Sequence, residues 1–220
     1  MNIGKLFNRV APYFFRNHLF VYCKKECPLP IPIDLDYRIE FPFNISNLTN
    51  DELADIQINC ETLKARQDEG DLIGVALRRG RVVHRLLLQT KGKVHMEGDP
   101  NAFSLARNEM YLHYGYTATD HRGRGILPAM LHRIIMYNSE TANAGKIFAA
   151  CRRENTSSVR GIQRVGFRYL KSSAVLGVLS GKVRLRLWYV DKNMVGDLIN
   201  APCAAKLNEL KQTNIKTNNG

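Results

Sequence analysis

Apolar positions along the chain change period several times, and the changes outline its elements. Apolar residues in patches over residues 3–17 fit a short amphipathic helix, and His18 to Cys23 continues it as an extended patch. Three prolines in Cys27-Pro-Leu-Pro-Ile-Pro exclude helix and predict an extended linker. Tyr37 to Phe41 alternates like a strand. Thr49-Asn50-Asp51-Glu52 has the pattern of a capping box, and Leu53, Ile56, Cys60 and Leu63 follow at helical spacing as far as Gly70. Leu72 to Arg78 and Arg81 to Gln89 read as two strands, with Arg79-Gly80 predicting a tight hairpin between them. Glu109 to Thr117 reads as a third, tyrosine-rich strand. Beyond a glycine turn, Leu127, Met130, Leu131, Ile134 and Ile135 occupy one face of a helix that should pack on a sheet. Lys146 to Cys151 reads as a buried strand. Asn155 to Arg164 reads as a helix, with Asn155 or Thr156 at its N-cap and Gly166 closing it. Phe167 to Leu179 and Val183 to Asp191 form a final hairpin turning at Ser180-Gly181, with Val183, Leu185, Leu187 and Tyr189 on one side. This order predicts a mixed α/β or α+β domain.

Composition narrows the partners. The 220 residues are 45% hydrophobic and 24% charged, which suffices for a core and excludes a compositionally disordered chain. A net charge of +12 favours anionic partners: nucleic acid, anionic lipid or a phosphate-bearing small molecule. The basic residues are dispersed, without the basic and aromatic interleaving of nucleic-acid modules, which argues against nucleic acid. Cys23 and Cys27 are the one close cysteine pair and have no matching second pair, so no metal is expected. An odd count of 5 cysteines argues against a disulfide framework and for a reducing, cytoplasmic setting. Arg9, Arg16, Asn17 and His18 interrupt the apolar N-terminal patch, leaving no membrane-length span and predicting a mature cytoplasmic chain.

The turn His121-Arg-Gly-Arg-Gly-Ile126 joins a strand to a helix. Glycines there let backbone N–H groups converge, and the helix start adds its positive dipole end. Arg122 and Arg124 add full charges, so the turn has the physics of a pyrophosphate cradle. It lacks the Gly-Lys-Ser/Thr of a Walker loop and the spacing of a dinucleotide fingerprint.

Two motifs together resemble the GNAT superfamily of acyl-CoA-dependent N-acyltransferases. Its Q/R-x-x-G-x-G/A signature maps onto Arg122-Gly123-Arg124-Gly125-Ile126-Leu127. Its N-x-x-A-x-x-x-Y-x-x-x-G-F pattern maps without a gap from Asn155, through Ser158 and Ile162, to Gly166-Phe167. Leu127 replaces a small residue, which is tolerable where the backbone binds, and Pro128 suits a first helical turn. Ile162 stands where many relatives carry a tyrosine that protonates the leaving thiolate, so that role does not carry over.

The resemblance implies a central mixed, mostly antiparallel sheet flanked by helices over residues 36–191. An arm of helix and proline-rich linker would precede it over residues 1–35, and a C-terminal helix and polar tail would follow over residues 192–220. It implies acetyl-CoA or another acyl-CoA as co-substrate, held by Arg122 to Leu127 with Asn155, and an oxyanion-stabilising N–H near Tyr116 and Thr117. Tyr111 and His113 stand at positions where relatives carry an acid/base residue, eleven and nine before Arg122. Glu109, Tyr111 and His113 share one strand face. His113 is the first choice for general base, since histidine ordinarily titrates near pH 6.5, with Glu109 in reserve.

The lead for the acceptor is the amine of a nucleotide-linked deoxyamino sugar in surface-polysaccharide biosynthesis, whose own pyrophosphate would suit the basic charge. A protein lysine or N-terminal acetyltransferase, and a non-catalytic acyl-CoA-binding or nucleic-acid-binding module, are the alternatives. A homodimer is compatible with the sequence.

Overall fold

A computed structural model describes residues 13–23, 36–46, 48–53, 56–96, 99–141, 145–178 and 183–190. Among these residues ten strands and three α-helices follow in order: β1 (Tyr13–Cys23), β2 (Arg38–Glu40), α1 (Cys60–Asp68), β3 (Leu72–Arg78), β4 (Arg81–Gln89), β5 (Lys93–Met96), β6 (Asp99–Ser104), β7 (Glu109–Thr117), α2 (Ile126–Thr141), β8 (Lys146–Arg152), α3 (Thr156–Arg164), β9 (Arg168–Val178) and β10 (Val183–Tyr189). Eight strands make one sheet in the order β10-β9-β1-β8-β7-β4-β3-β2, and β5 pairs with β6 apart from it. Among the described strands, only β7 and β8 pair in parallel, as the α2 crossover between them requires. The fold is therefore mixed α/β, with a mostly antiparallel sheet flanked by helices, as expected.

Each sheet face is covered by different elements. On one, Met130, Leu131, Ile134 and Ile135 of α2 and Ile162 of α3 pack on Phe20, Leu86, Leu88, Met110 and Leu112. Their side chains match the helical stripe read from the sequence. On the other, Leu63 of α1 packs on Ile73, Val75 and Leu87. The β5–β6 hairpin covers Leu19, Val21, Tyr111 and Phe148 with Val94, Met96 and Ala102.

Two expectations need correction, and one element was not expected. The helix expected over residues 3–17 cannot include 13–17, which belong to β1; residues 1–12 lie outside the described residues. β1 pairs on both sides, with β8 and with β9, because its alternate side chains Phe20 and Leu19 enter the two opposite clusters. The helix expected from Leu53 to Gly70 is confined to Cys60–Asp68. The capping box does form, with Thr49 N donating to Glu52 at 2.8 Å, but it closes only a single 3-10 turn over Asn50–Glu52. Leu53 then forms a bridge with Val82, and Gln57 adopts a left-handed φ of 55°, which a helix cannot contain. Leu53 and Ile56 reach the core without being helical. The true cap of α1 is Asn59, which accepts from Thr62 N at 2.9 Å. Finally, the β5–β6 hairpin had no counterpart in the sequence reading, although β5 alternates exposed and buried residues. The turn at Ser180-Gly181, the proline-rich linker and residues 192–220 lie outside the described residues.

Candidate active site

The parallel pairing of β7 with β8 runs from Glu109 opposite Lys146 to Leu112 opposite Ala149 and then stops, although both strands continue. Past Leu112 the two strands part, and each runs into the N-terminus of a helix, α2 and α3. The end of β7 is bent by a bulge: Arg85 and Leu87 of β4 face Tyr116 and His113, so β7 carries one extra residue there. Tyr114 in the bulge has a φ of 50°.

Beyond the bulge the chain makes a 3-10 turn over Thr119–His121 and enters the glycine turn. Gly123 and Gly125 have φ of 74° and 75°, the left-handed backbone that a side chain resists. The α2 ladder opens with Ala129 N donating to Gly125 O at 3.1 Å. That leaves the N–H groups of Ile126 and Leu127 without intrahelical acceptors, and Pro128 has none to leave. Arg122 folds back, its Nε donating to Thr117 O at 3.1 Å. His121 shares a 3.0 Å hydrogen bond with the Tyr37 hydroxyl, and burial with nearby Arg78 and Arg124 lowers its pKa.

Ala118 N donates to Val83 O, toward β4. Alternation along the strand turns the N–H of Thr117 to the opposite edge, the one β8 has left. The Thr117 hydroxyl lies 2.7 Å from Nδ1 of buried His84. Burial, helped by Arg85, holds His84 down to a pKa of about 3.

His113 Nε2 stands 3.0 Å from Asp71 Oδ2, with side-chain exposures of only 10% and 8%. The two atoms lack the alignment of a hydrogen bond, and neither has another partner among the described residues. Asp71 lies between α1 and β3 and reaches diagonally over β4; its N–H donates to Arg66 O at 3.0 Å. The ring of Tyr111 stacks on His113 at 6.0 Å between centroids, and burial pushes the Tyr111 phenol well above its ordinary pKa.

Several solved structures share this fold. A Drosophila protein is 10% identical with a TM-score of 0.54, over 82% of this chain and 57% of its own. A GCN5-related N-acetyltransferase from Sphaerobacter thermophilus is 14% identical with a TM-score of 0.54, over 79% of this chain and 54% of its own. The fold is that of the GCN5-related N-acetyltransferases. A region of a fungal multi-domain GH3 β-N-acetylglucosaminidase, described as a GCN5-related glucosamine N-acetyltransferase, is 16% identical with a TM-score of 0.52, over 84% of this chain and 22% of its own. This chain thus spans little more than half the length of the first two. No protein-family model matches the sequence, and no curated protein matches it.

Within the GNAT fold, the residues singled out from sequence fall into three places. Tyr116, Thr117 and Arg122 to Leu127 line the path from the end of β7 to the start of α2. His113 and Tyr111 lie together just before the bulge. Glu109 sits at the far, paired end of β7, where it meets Lys146 at 3.3 Å and accepts from Ala106 N at 3.1 Å. Asn155 caps α3, its side chain accepting from Ser158 N at 3.1 Å, and Ile162 is buried against the sheet. The Cys151 thiol is pushed up to a pKa of about 12 by burial, as befits a packing residue.

Asp71, Arg85 and Tyr114 escaped the sequence reading. Asp71 carried one available signal, an acidic residue directly before an apolar strand where solvent would ordinarily be its partner. Among the described residues, no group of three or more His, Cys, Asp or Glu is placed to hold a metal ion, and no helix is long and apolar enough to cross a membrane.

Proposed function

We propose that the chain transfers an acyl group from acyl-CoA to a primary amine. The observation that carries this reading is the parting of β7 from β8 past Leu112, which opens beside a left-handed glycine turn at a helix N-terminus. Amides of Gly123 to Leu127 and the guanidinium of Arg124 fit a pyrophosphate. An acyl-CoA entering between the strands would bring its thioester carbonyl to the Thr117 N–H, which can stabilise the oxyanion that develops there. The amine nitrogen attacks the carbonyl carbon, the C–S bond breaks and the CoA sulfur leaves with the electron pair. His113, held by Asp71, takes the proton that the nitrogen loses. With Ile162 apolar, the departing thiolate takes its proton from water, as a thiol with an ordinary pKa of about 8.5 readily allows.

For the acceptor, we favour an amino sugar that carries negative charge, such as a nucleotide-linked deoxyamino sugar of surface-polysaccharide biosynthesis. The net charge of +12 supports an anionic acceptor. The fungal glucosamine N-acetyltransferase region makes amino sugars the first class to try.

The test is thiol release from acetyl-CoA with a panel of nucleotide-linked amino sugars, free amino sugars and peptides. Thiol release with an amino sugar is expected; CoA binding without release by any amine removes the enzyme reading. H113A should lower kcat about a hundredfold or more while CoA affinity is retained. Unchanged turnover would take His113 out of the reaction.

A further inference from the structure

On the α1 side of β7, rings and guanidinium groups form one continuous array. The Tyr114 ring lies 5.1 Å from that of His113. Arg66 and Arg85 stand over Tyr114 at 5.3 and 5.8 Å. Arg85 also stands over Tyr116 at 5.8 Å, and Arg122 lies over that ring at 5.3 Å. The array thus joins the candidate base to the candidate pyrophosphate turn.

Arg85 is its unusual member. It is only 5% exposed, yet no carboxylate stands beside it among the described residues. Its Nε donates to Ile56 O at 2.9 Å and its Nη1 to Tyr114 O. Its Nη2 has no hydrogen-bond partner among the described residues. A desolvated guanidinium ordinarily has an anion against it, because its charge is costly to bury uncompensated. Two tyrosine faces offset part of that cost.

The surroundings point the same way. Arg66 brings Nη2 to 3.4 Å from the Tyr114 hydroxyl, while its Nη1 pairs at 2.8 Å with Glu69, which is exposed and displaceable. Tyr114 is 47% exposed and held in the left-handed region, which is costly for an aromatic residue. Its ring thus stands in contact with two cations, next to His113.

We propose that Arg66 and Arg85, both packed on the exposed Tyr114 ring, form an oxyanion subsite that holds a phosphate or carboxylate of the acceptor and so delivers its amine to His113. Guanidinium forks bind such groups through paired N–H donors and stack on aromatic faces, so both chemistries fit. The identity of the ligand as acceptor rests on the acyltransferase reading; the binding of the anion does not.

The test is calorimetric titration of the CoA-saturated protein, whose pyrophosphate turn is filled, with three amino sugars: glucosamine, glucosamine 6-phosphate and muramic acid. At least one anionic probe should bind tenfold or more tightly than glucosamine, and the pattern tells whether phosphate, carboxylate or both are accepted. R66Q should bring that ratio close to one. R85K, which keeps the charge but loses the fork, should reduce it; if R85K does not fold, R66Q decides. R133Q, on the exposed side of α2, should keep the wild-type ratio. Glucosamine binding as tightly as both anions, or a preference that survives R66Q, overturns the subsite. Thiol release judges the other reading separately: anion preference without release keeps the subsite and removes the acyltransferase, and release without preference does the reverse.

Discussion

His113 owes its setting to Asp71, a residue that comes into range only when α1 and β3 fold beside β7. A buried carboxylate 3.0 Å from the imidazole can orient the ring and sets a negative charge beside it as it takes up the amine's proton. D71N keeps the shape and removes the charge, so it should lower kcat by about tenfold or more while CoA affinity and thermal midpoint hold. A fall in all three together would make Asp71 merely structural. His84 yields a pH dependence of a different kind. Its folded pKa of about 3 lies below the ordinary 6.5, so as pH falls through 6.5 the unfolded chain takes up the proton first. Stability tied to His84 is therefore intact above pH 6.5 and lost between 6.5 and 3, by up to about 1.4 kcal/mol per pH unit. Urea unfolding at pH 7 and pH 5 should show wild type losing more stability than H84Q; equal losses would mean that His84 is not buried neutral.

Among the elements, β1 shows how a register is held within a sheet. His18 Nδ1 and the Tyr169 hydroxyl each lie 2.7 Å from the Ser172 hydroxyl, all three buried between β1 and β9. A one-residue slip would separate them, and it would also turn Phe20 and Tyr22 away from the helices. S172A removes both hydrogen bonds and should cost about 1–3 kcal/mol, read as a lower urea midpoint at unchanged slope. A cost near zero would leave the register to the apolar side chains. Elements of this kind were only partly legible in the sequence. The β3–β4 hairpin, β7, α2, β8 and α3 each carry a local signal: a turn dipeptide, an alternation, an apolar stripe or a cap. β1 was misread in part: Asn17 to Tyr22 are all buried, and a strand buried on both faces lacks the two-residue period. The stretch from Leu53 to Leu63 kept helical spacing while its backbone did not, since spacing reports which side chains are buried and not the path between them.

At the scale of the whole molecule, the part of the candidate site that lies along one stretch of chain is the part for which a sequence pattern exists. Tyr111 to Leu127 is such a stretch, and the signature residues Arg122 to Leu127 run from the turn after β7 into the first turn of α2. The part assembled across strands has no such pattern. Asp71 meets His113, and Arg66 and Arg85 meet Tyr114, only through the pairing order β3-β4-β7 and the placing of α1, neither of which a local pattern encodes. The sequence reading credited the basic balance to the molecule at large. The structure gathers Arg66, Arg85 and Arg122 along one side of one strand, which gives that charge a place to act.

The position of β1 also bears on how the chain is made. Its side chains close the gap between β8 and β9, and His18 meets Ser172 from 154 residues away. During synthesis β1 emerges first and must wait for both neighbours, roughly 8–30 s at 5–20 residues per second. Through that interval Leu19, Phe20, Val21 and Tyr22 have no native surface to bury against. The nascent chain therefore carries an adhesive segment, a natural client for a holding chaperone, until β8 and then β9 pair with it.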